Sequence, residues 1–356
     1  MTISANVAAS KSLEQLRSKA QNGLPIRVIV GMRVPFAPEG LLSAANLNQQ
    51  QDDIATARTS LLNKMPTLRN KLDKVKNFDH IPFVALEVDA TELEQLANLV
   101  EVTSIEEDQL MFVSLAQSVP LVGGTTAWTS GYTGAGRTVA VLDTGVDKNH
   151  PFLNGKVVSE ACYSTTYSGY GSTSVCPGGV TTSTEAGSAL PYASGVCPAG
   201  KCDHGTHVAG IVAGNDGSKF GVAKDANLIA IQVFSRFDGT AWCVSSASCA
   251  LTWSSDQVLG LQRVYALRNT YNIDSVNMSL GSGSYTSQAT CDANNASVKA
   301  AIDTLRSVNI ATVIASGNNG YPTSMSAPGC ISSAVSVGAT LDTADSVASY
   351  SNSVSF

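Results

Sequence analysis

A run of apolar residues, Val139-Ala140-Val141-Leu142, stops on Asp143-Thr144-Gly145. Unbroken apolar character without alternation marks a strand buried on both faces, as in a parallel sheet covered by helices. A carboxylate at the carboxyl end of such a strand stands where open α/β sheets collect their functional sites. Further on, His204-Gly205-Thr206-His207 opens a stretch of small and apolar residues reaching Gly214, suited to a closely packed helix.

The surrounding sequence extends this pattern. Strands are expected at 138–142, 228–234, 275–280, 311–315 and 334–338, and helices at 205–213, 256–270 and 294–308. That alternation predicts an α/β fold, a parallel sheet with helices on both faces. The first third of the chain reads differently. Strands are expected at 26–32, Phe83–Val88 and Val100–Ile105. A helix is expected over 46–75, interrupted at Pro66, and another runs to Asn98 with Asp89 or Thr91 as its cap. This suits a small ferredoxin-like α+β unit. The expected organisation is a disordered segment at 1–22, this unit at 23–112, a linker at 113–120 and the α/β part at 121–356. Residues 159–203, rich in Ser, Thr, Gly and Cys, are expected to be a surface insertion.

Charge divides the chain at the same place. Residues 1–118 hold 11 Lys/Arg and 14 Asp/Glu, and the remaining, twice longer part holds the same numbers. The net charge of −6 provides no basic footprint for nucleic acid. No apolar run is long enough to cross a bilayer. All eight cysteines fall between Cys162 and Cys330, which predicts disulfides and an oxidising compartment. Eight cysteines allow 105 pairings. Short separation favours Cys197 with Cys202 and Cys243 with Cys249. Residues 1–20 contain no secretory signal, so a secreted protein would need one ahead of Met1.

A serine nucleophile needs a base, and the base needs an orienting acid. Asp143 is a candidate for the acid and His204 for the base. Asp-Thr-Gly also occurs in aspartic proteases, but those need a second matching carboxylate, and none is seen. Cys197, Cys202, His204 and His207 form a potential zinc set, yet they are more crowded than zinc spacings require. Metal ligands are left unassigned.

The two motifs together resemble the Asp and His segments of subtilisin-like serine proteases, in which Asp, His and Ser follow in that chain order, as in subtilisin itself. The resemblance covers roughly residues 20–356. It implies an incomplete subtilisin-like fold, with residues 23–112 as an inhibitory propeptide and 113–120 as the processing region. His207 is expected to pack inside. Asn277-Met278-Ser279-Leu280-Gly281 resembles the strand that pairs with substrate backbone. Ala311–Gly320 resembles the segment bearing the oxyanion-hole Asn, here Asn318, with Ala315, Ser316 and Gly317 also at the substrate. Losing that donor in subtilisin, the family's reference case, lowers kcat by about 10²–10³. No cofactor is implied. Family members often hold structural calcium, but no Asp-x-Asn/Asp-x loop assigns it here.

The nucleophile is expected to be absent. Family members carry Gly-Thr-Ser-Met-Ala at the start of a long buried helix. Thr323-Ser324-Met325 looks similar, but Pro322 replaces the Gly and Pro328-Gly329 breaks any following helix. The stretch resembles instead the family's strand between Asn and Ser, so the Ser is expected beyond Phe356 and the chain by itself is expected to be inactive. The implied parent is a secreted, monomeric serine endopeptidase acting on polypeptides, with its own propeptide as inhibitor. The alternative is an inactive peptide-binding or inhibitory protein.

Overall fold

A computed structural model describes residues 11–20, 25–69, 74–108, 110–113, 122–191, 196–197, 200–243, 247–341 and 344–356. The N-terminal unit comprises α1 (Lys11–Ala20), β1 (Ile26–Met32), α2 (Ala44–Lys64), α3 (Pro66–Arg69), β2 (Val75–Asn77), β3 (Phe83–Val88), α4 (Ala90–Ala97) and β4 (Val102–Glu107). Its strands form one antiparallel sheet in the order β2-β3-β1-β4. With α2 and α4 as the crossovers, this is the expected ferredoxin-like pattern. Val28 and Val30 of β1 face a core shared with Ile54, Leu61 and Leu93 from the helices. The break expected at Pro66 separates α2 from α3, because proline has no N–H to continue the first helix. Asp89 caps α4 in a reciprocal box: it accepts from Glu92 N at 2.8 Å, and Glu92 accepts from Asp89 N at 2.9 Å.

The first residues depart from the sequence reading. Residues 11–20 are helical rather than disordered, with Leu13, Leu16 and Ala20 buried in the same core. Their spacing is a helical stripe too short to stand out among charged neighbours. Residues 1–10, 21–22 and 114–120, the last covering most of the expected linker, lie outside the described residues.

The second unit contains β5 (Leu110–Val113), α5 (Gly124–Thr129), β6 (Thr138–Asp143), β7 (Val157–Tyr163), β8 (Ser172–Ser174), β9 (Thr182–Ser183), α6 (His204–Ala213), β10 (Asn227–Gln232), β11 (Phe234–Asp238) and β12 (Ser248–Trp253). It continues through α7 (Ser254–Leu267), β13 (Ile273–Met278), β14 (Leu280–Tyr285), α8 (Gln288–Asn294), α9 (Ala296–Ser307), β15 (Ala311–Ala315), β16 (Met325–Ala327) and β17 (Val335–Val337). Seven strands form a sheet in the order β17-β15-β13-β6-β10-β7-β9, parallel except for the β7–β9 pair. Each central strand sends alternate residues to two cores. Ala140, Leu142, Ile229 and Ile231 meet Val258 and Leu261 of α7 and Ile302 of α9. Val141, Leu228 and Ala230 meet Val208, Ala209 and Ala213 of α6 on the other face. Helices therefore cover both faces, as the unbroken apolar strands require.

Two expected strands are each divided. The segment 228–234 turns at Val233, and 275–280 turns at Ser279. In each case the chain leaves the parallel sheet and enters a second, antiparallel sheet of order β16-β14-β5-β12-β11-β8. The region 159–203 is also more than a surface insertion. It begins inside β7 of the main sheet, and Ser164, Ser174 and Cys176 within it are fully buried. Its polar composition concealed this, because those hydroxyls are spent on internal hydrogen bonds.

Candidate active site

Asp143 ends the central strand β6 and is fully buried. Its Oδ1 accepts from the Thr144 amide at 2.7 Å and lies 2.8 Å from His204 Nδ1. An ionised carboxylate only accepts, so the pair places the imidazole proton on Nδ1 and the lone pair on Nε2. His204 is the first residue of α6, and Asp203 is its N-cap.

The remaining letters of both motifs make this approach feasible. A Cβ at Gly205 would stand 2.2 Å from Gly145 O and 3.0 Å from Asp143 Cβ, so only glycine admits the carboxylate beside the helix. Gly145 has φ +93°, and a Cβ there would meet Ala189 O at 2.7 Å. Thr144 links the two motifs: Oγ1 donates to Cys202 O at 3.0 Å and accepts from the Gly205 amide at 2.9 Å. The Asp147 amide donates to Thr206 Oγ1 at 2.8 Å. Gln232, level with Asp143 on β10, donates to Thr144 O and accepts from the Phe234 amide. No motif marked Gln232. Only the register of β10 against β6 reveals it.

The other candidates leave the same sheet edge. Ser279 follows β13, and Ser316, Gly317 and Asn318 follow β15, next in the strand order from β6. Ser279, Ala315, Ser316, Gly317 and Asn318 together line a cavity of about 150 Å³. Gly317 has φ +109°, and a Cβ there would strike Asn352 Nδ2 at 2.3 Å. Asn352 is a second residue that sequence reasoning passed over. Its side chain donates to Ser316 O at 3.2 Å and accepts from the Asn319 and Tyr321 amides at 3.0 and 3.1 Å, holding the loop that carries Asn318.

Leu280 is buried in the core, and Gly281 lies on the edge of β14. That edge carries the chain's own residues. β5 runs antiparallel to β14, with Val113 opposite Leu280 and Phe112 opposite Gly281. Its other edge pairs with β12, placing Met111 opposite Thr252 and Leu110 opposite Trp253. Two carboxylates just ahead of β5 meet helix N-termini, where free amides and the helix dipole favour anions. Glu106 accepts from the amides of Ala296 and Ser297 at 2.8 and 3.1 Å and from the Ser297 hydroxyl, at the start of α9. Asp108 accepts from Ser255 N at 2.8 Å, Ser255 Oγ at 2.6 Å and Arg27 Nε at 3.0 Å, at the start of α7.

Two expectations are corrected or refined. His207 is exposed rather than packed inside; it lines a surface cavity of about 460 Å³ with Phe152, Ile211 and Phe220. It follows His204 by one turn but faces solvent, while the next residues, Val208 and Ala209, pack against the sheet. Ser324 leads into the short strand β16, and its hydroxyl accepts from Ser284 Oγ at 2.7 Å. All eight cysteines are paired. Cys197–Cys202 and Cys243–Cys249 follow the sequence expectation, and Cys162–Cys176 and Cys291–Cys330 complete the set. Among the described residues no group of three or more His, Cys, Asp or Glu could hold a metal ion. No described helix is long and apolar enough to cross a membrane.

A buried Asp–His pair thus stands at the carboxyl edge of a parallel sheet, beside an extended segment paired on both of its edges. The Subtilase family profile matches residues 134–355, and the chain belongs to that family. It is 32% identical over 241 residues to the Minor extracellular protease Vpr of Bacillus subtilis, covering 67% of this chain and 24% of that protein. It is 30% identical over 285 residues to an Extracellular protease of Xanthomonas campestris pv. campestris, covering 74% and 45%. The chain thus spans less than half the length of either relative. Among solved structures, Sphericase aligns with a TM-score of 0.44 and 26% identity, over 62% of this chain and 60% of that one.

Proposed function

We propose that this chain contributes the acid, base and oxyanion donor of a serine endopeptidase that cleaves polypeptides through an acyl-enzyme. The observation that carries the proposal is the buried Asp143–His204 contact of 2.8 Å. In this role His204 Nε2 takes the proton of a serine hydroxyl as that oxygen attacks the peptide carbonyl. It then returns the proton to the departing amine. Asp143 keeps the ring oriented and stabilises the imidazolium. Asn318 donates to the oxygen that becomes negative in the tetrahedral state. All these groups are side chains, so the reaction calls for no cofactor. The nucleophile is a serine other than Ser324, whose place before an edge strand lacks the helix start that such a hydroxyl needs.

In the same proposal, residues 23–112 inhibit the enzyme from within the same molecule. The pairing of β5 on both edges supports this, because it takes the backbone positions of an extended substrate. Four disulfides, and relatives named as extracellular proteases, support action outside the cell. The test is peptide hydrolysis by the protein expressed from the full reading frame that encodes this chain. His204→Ala and Asp143→Asn are each expected to lower kcat by at least about 10³-fold, and Ser324→Ala to change it less than about twofold. Hydrolysis that survives His204→Ala overturns the proposal.

A further inference from the structure

The N-terminal unit is joined to the second by more than β5, which pairs with β14 and β12, and two helix ends. A further contact falls on the segment closed by the Cys162–Cys176 disulfide, which belongs neither to the Asp–His pair nor to the strands beside β5. Lys76, on the edge strand β2, reaches across with its side chain only 11% exposed. Its ammonium donates to Thr165 Oγ1, to Asp256 Oδ1 and, at 3.3 Å, to Ser255 Oγ. Thr165 then donates its own proton to Asp256 Oδ2 at 2.8 Å. One hydroxyl thereby accepts from the N-terminal unit and donates to α7. Two residues on, the buried Tyr167 donates its hydroxyl to Pro25 O, just before β1. Trp253 packs edge-on to Tyr167, with ring centroids 6.0 Å apart, and carries the Arg27 guanidinium 5.3 Å from its centroid.

The segment is held ready for this contact. Ser172 Oγ donates to Thr165 O at 2.6 Å, and the Thr165 amide donates to Ser235 Oγ at 2.8 Å. The disulfide bounds the loop, and β8 anchors it to β11. A buried ammonium is tolerated only when a charge and hydrogen-bond acceptors surround it. Thr165 and Asp256 supply them. A partner without a lysine at this place would leave Asp256 buried without its counter-charge, so the contact selects its occupant as well as holding it.

We propose that the Cys162–Cys176 loop is a second, selective foothold for the N-terminal unit, one that recognises a buried lysine on an edge strand and retains the unit independently of β5. Its regulatory meaning rests on the inhibitor role proposed above; the docking itself does not. Such a foothold delays release of the unit after the connection between the two parts is cut.

The test is hydrogen exchange on residues 1–356, comparing Thr165→Val, Lys76→Met and the double variant. The Ser255 and Ser297 amides report docking, since they donate to Asp108 and Glu106. Amides within β6 and β10 report the integrity of the second unit. Each single variant is expected to speed exchange at Ser255 and Ser297 about tenfold or more, with β6 and β10 unchanged. The double variant is expected to add less than the two effects combined, because both act on one network. Tyr167→Phe, which removes a hydroxyl and little bulk, is expected to act in the same direction. Unchanged exchange at Ser255 and Ser297, strict additivity, or an equal rise in β6 and β10 overturns the foothold. None of these measurements needs hydrolysis. If residues 1–356 pass them while the protein from the full reading frame cleaves no peptide, the protease proposal alone is refuted; if that protein cleaves peptides while residues 1–356 fail them, the foothold alone is refuted.

Discussion

At the scale of single residues, the side chains that do least chemistry are the most tightly constrained. Gly205 stands where any Cβ would press on Gly145 O, and Thr144 bridges the turn after β6 to the start of α6. The Asp–His distance is therefore set by a hydroxyl and by a hydrogen in place of a methyl group. Gly205→Ala is expected to push α6 away from β6, lowering stability by about 1–3 kcal/mol as overpacking does. It is expected to lower kcat more than it raises KM. Thermal unfolding and steady-state kinetics measure the two effects; a variant with unchanged Tm and kcat would show that the site relaxes around the methyl group.

At the scale of elements, helix ends act as receptors. α9 begins with two amides that Glu106 satisfies from another part of the chain. Burial pushes this carboxyl from an ordinary value near 4.5 up to about 7, against the downward pull of the Ser297 hydroxyl and the two amides. The docked form therefore keeps a proton that the undocked form has already lost. By linkage, this contribution to docking is full below about pH 4.5, falls as pH rises through about 7 and is level above. Exchange at the Ser297 amide, corrected for its intrinsic pH dependence, is expected to speed up across that window. Glu106→Gln is expected to flatten the profile. A wild-type profile as flat as the variant's would remove Glu106 from the account.

At the scale of the whole molecule, the two units share hydrophobic contacts as well as polar ones. Ile29, Phe78, Ile81 and Ala85 of the N-terminal unit belong to the same apolar cluster as Leu142, Val258 and Ile302. Four disulfides tie down the polar loops of the second unit, each typically worth about 2–4 kcal/mol through the unfolded chain. Secreted protein treated with a thiol-alkylating reagent is expected to take up none before reduction and eight equivalents after it. Intact mass reads the count. Any label before reduction would contradict the pairing, and with it the oxidising compartment.

Much of this was legible in the amino-acid order alone. Continuous apolar runs between helical segments require strands buried on both faces, which determines a parallel sheet. Asp143 and His204 were legible because each is embedded in small residues that only close packing needs. Proximity in the chain was enough for two disulfides, whose partners are five and six residues apart. Other features depend on contacts between distant segments and so have no local signal. Cys291 meets Cys330 across 39 residues. Gln232 matters through its register beside Asp143, and Asn352 through a loop folded back onto Ser316. Polar composition made 159–203 look like a surface excursion, and only the folded chain shows its hydroxyls turned inward. Periodicity records which face of an element is apolar. Which distant group answers a buried polar atom is decided when the elements pack.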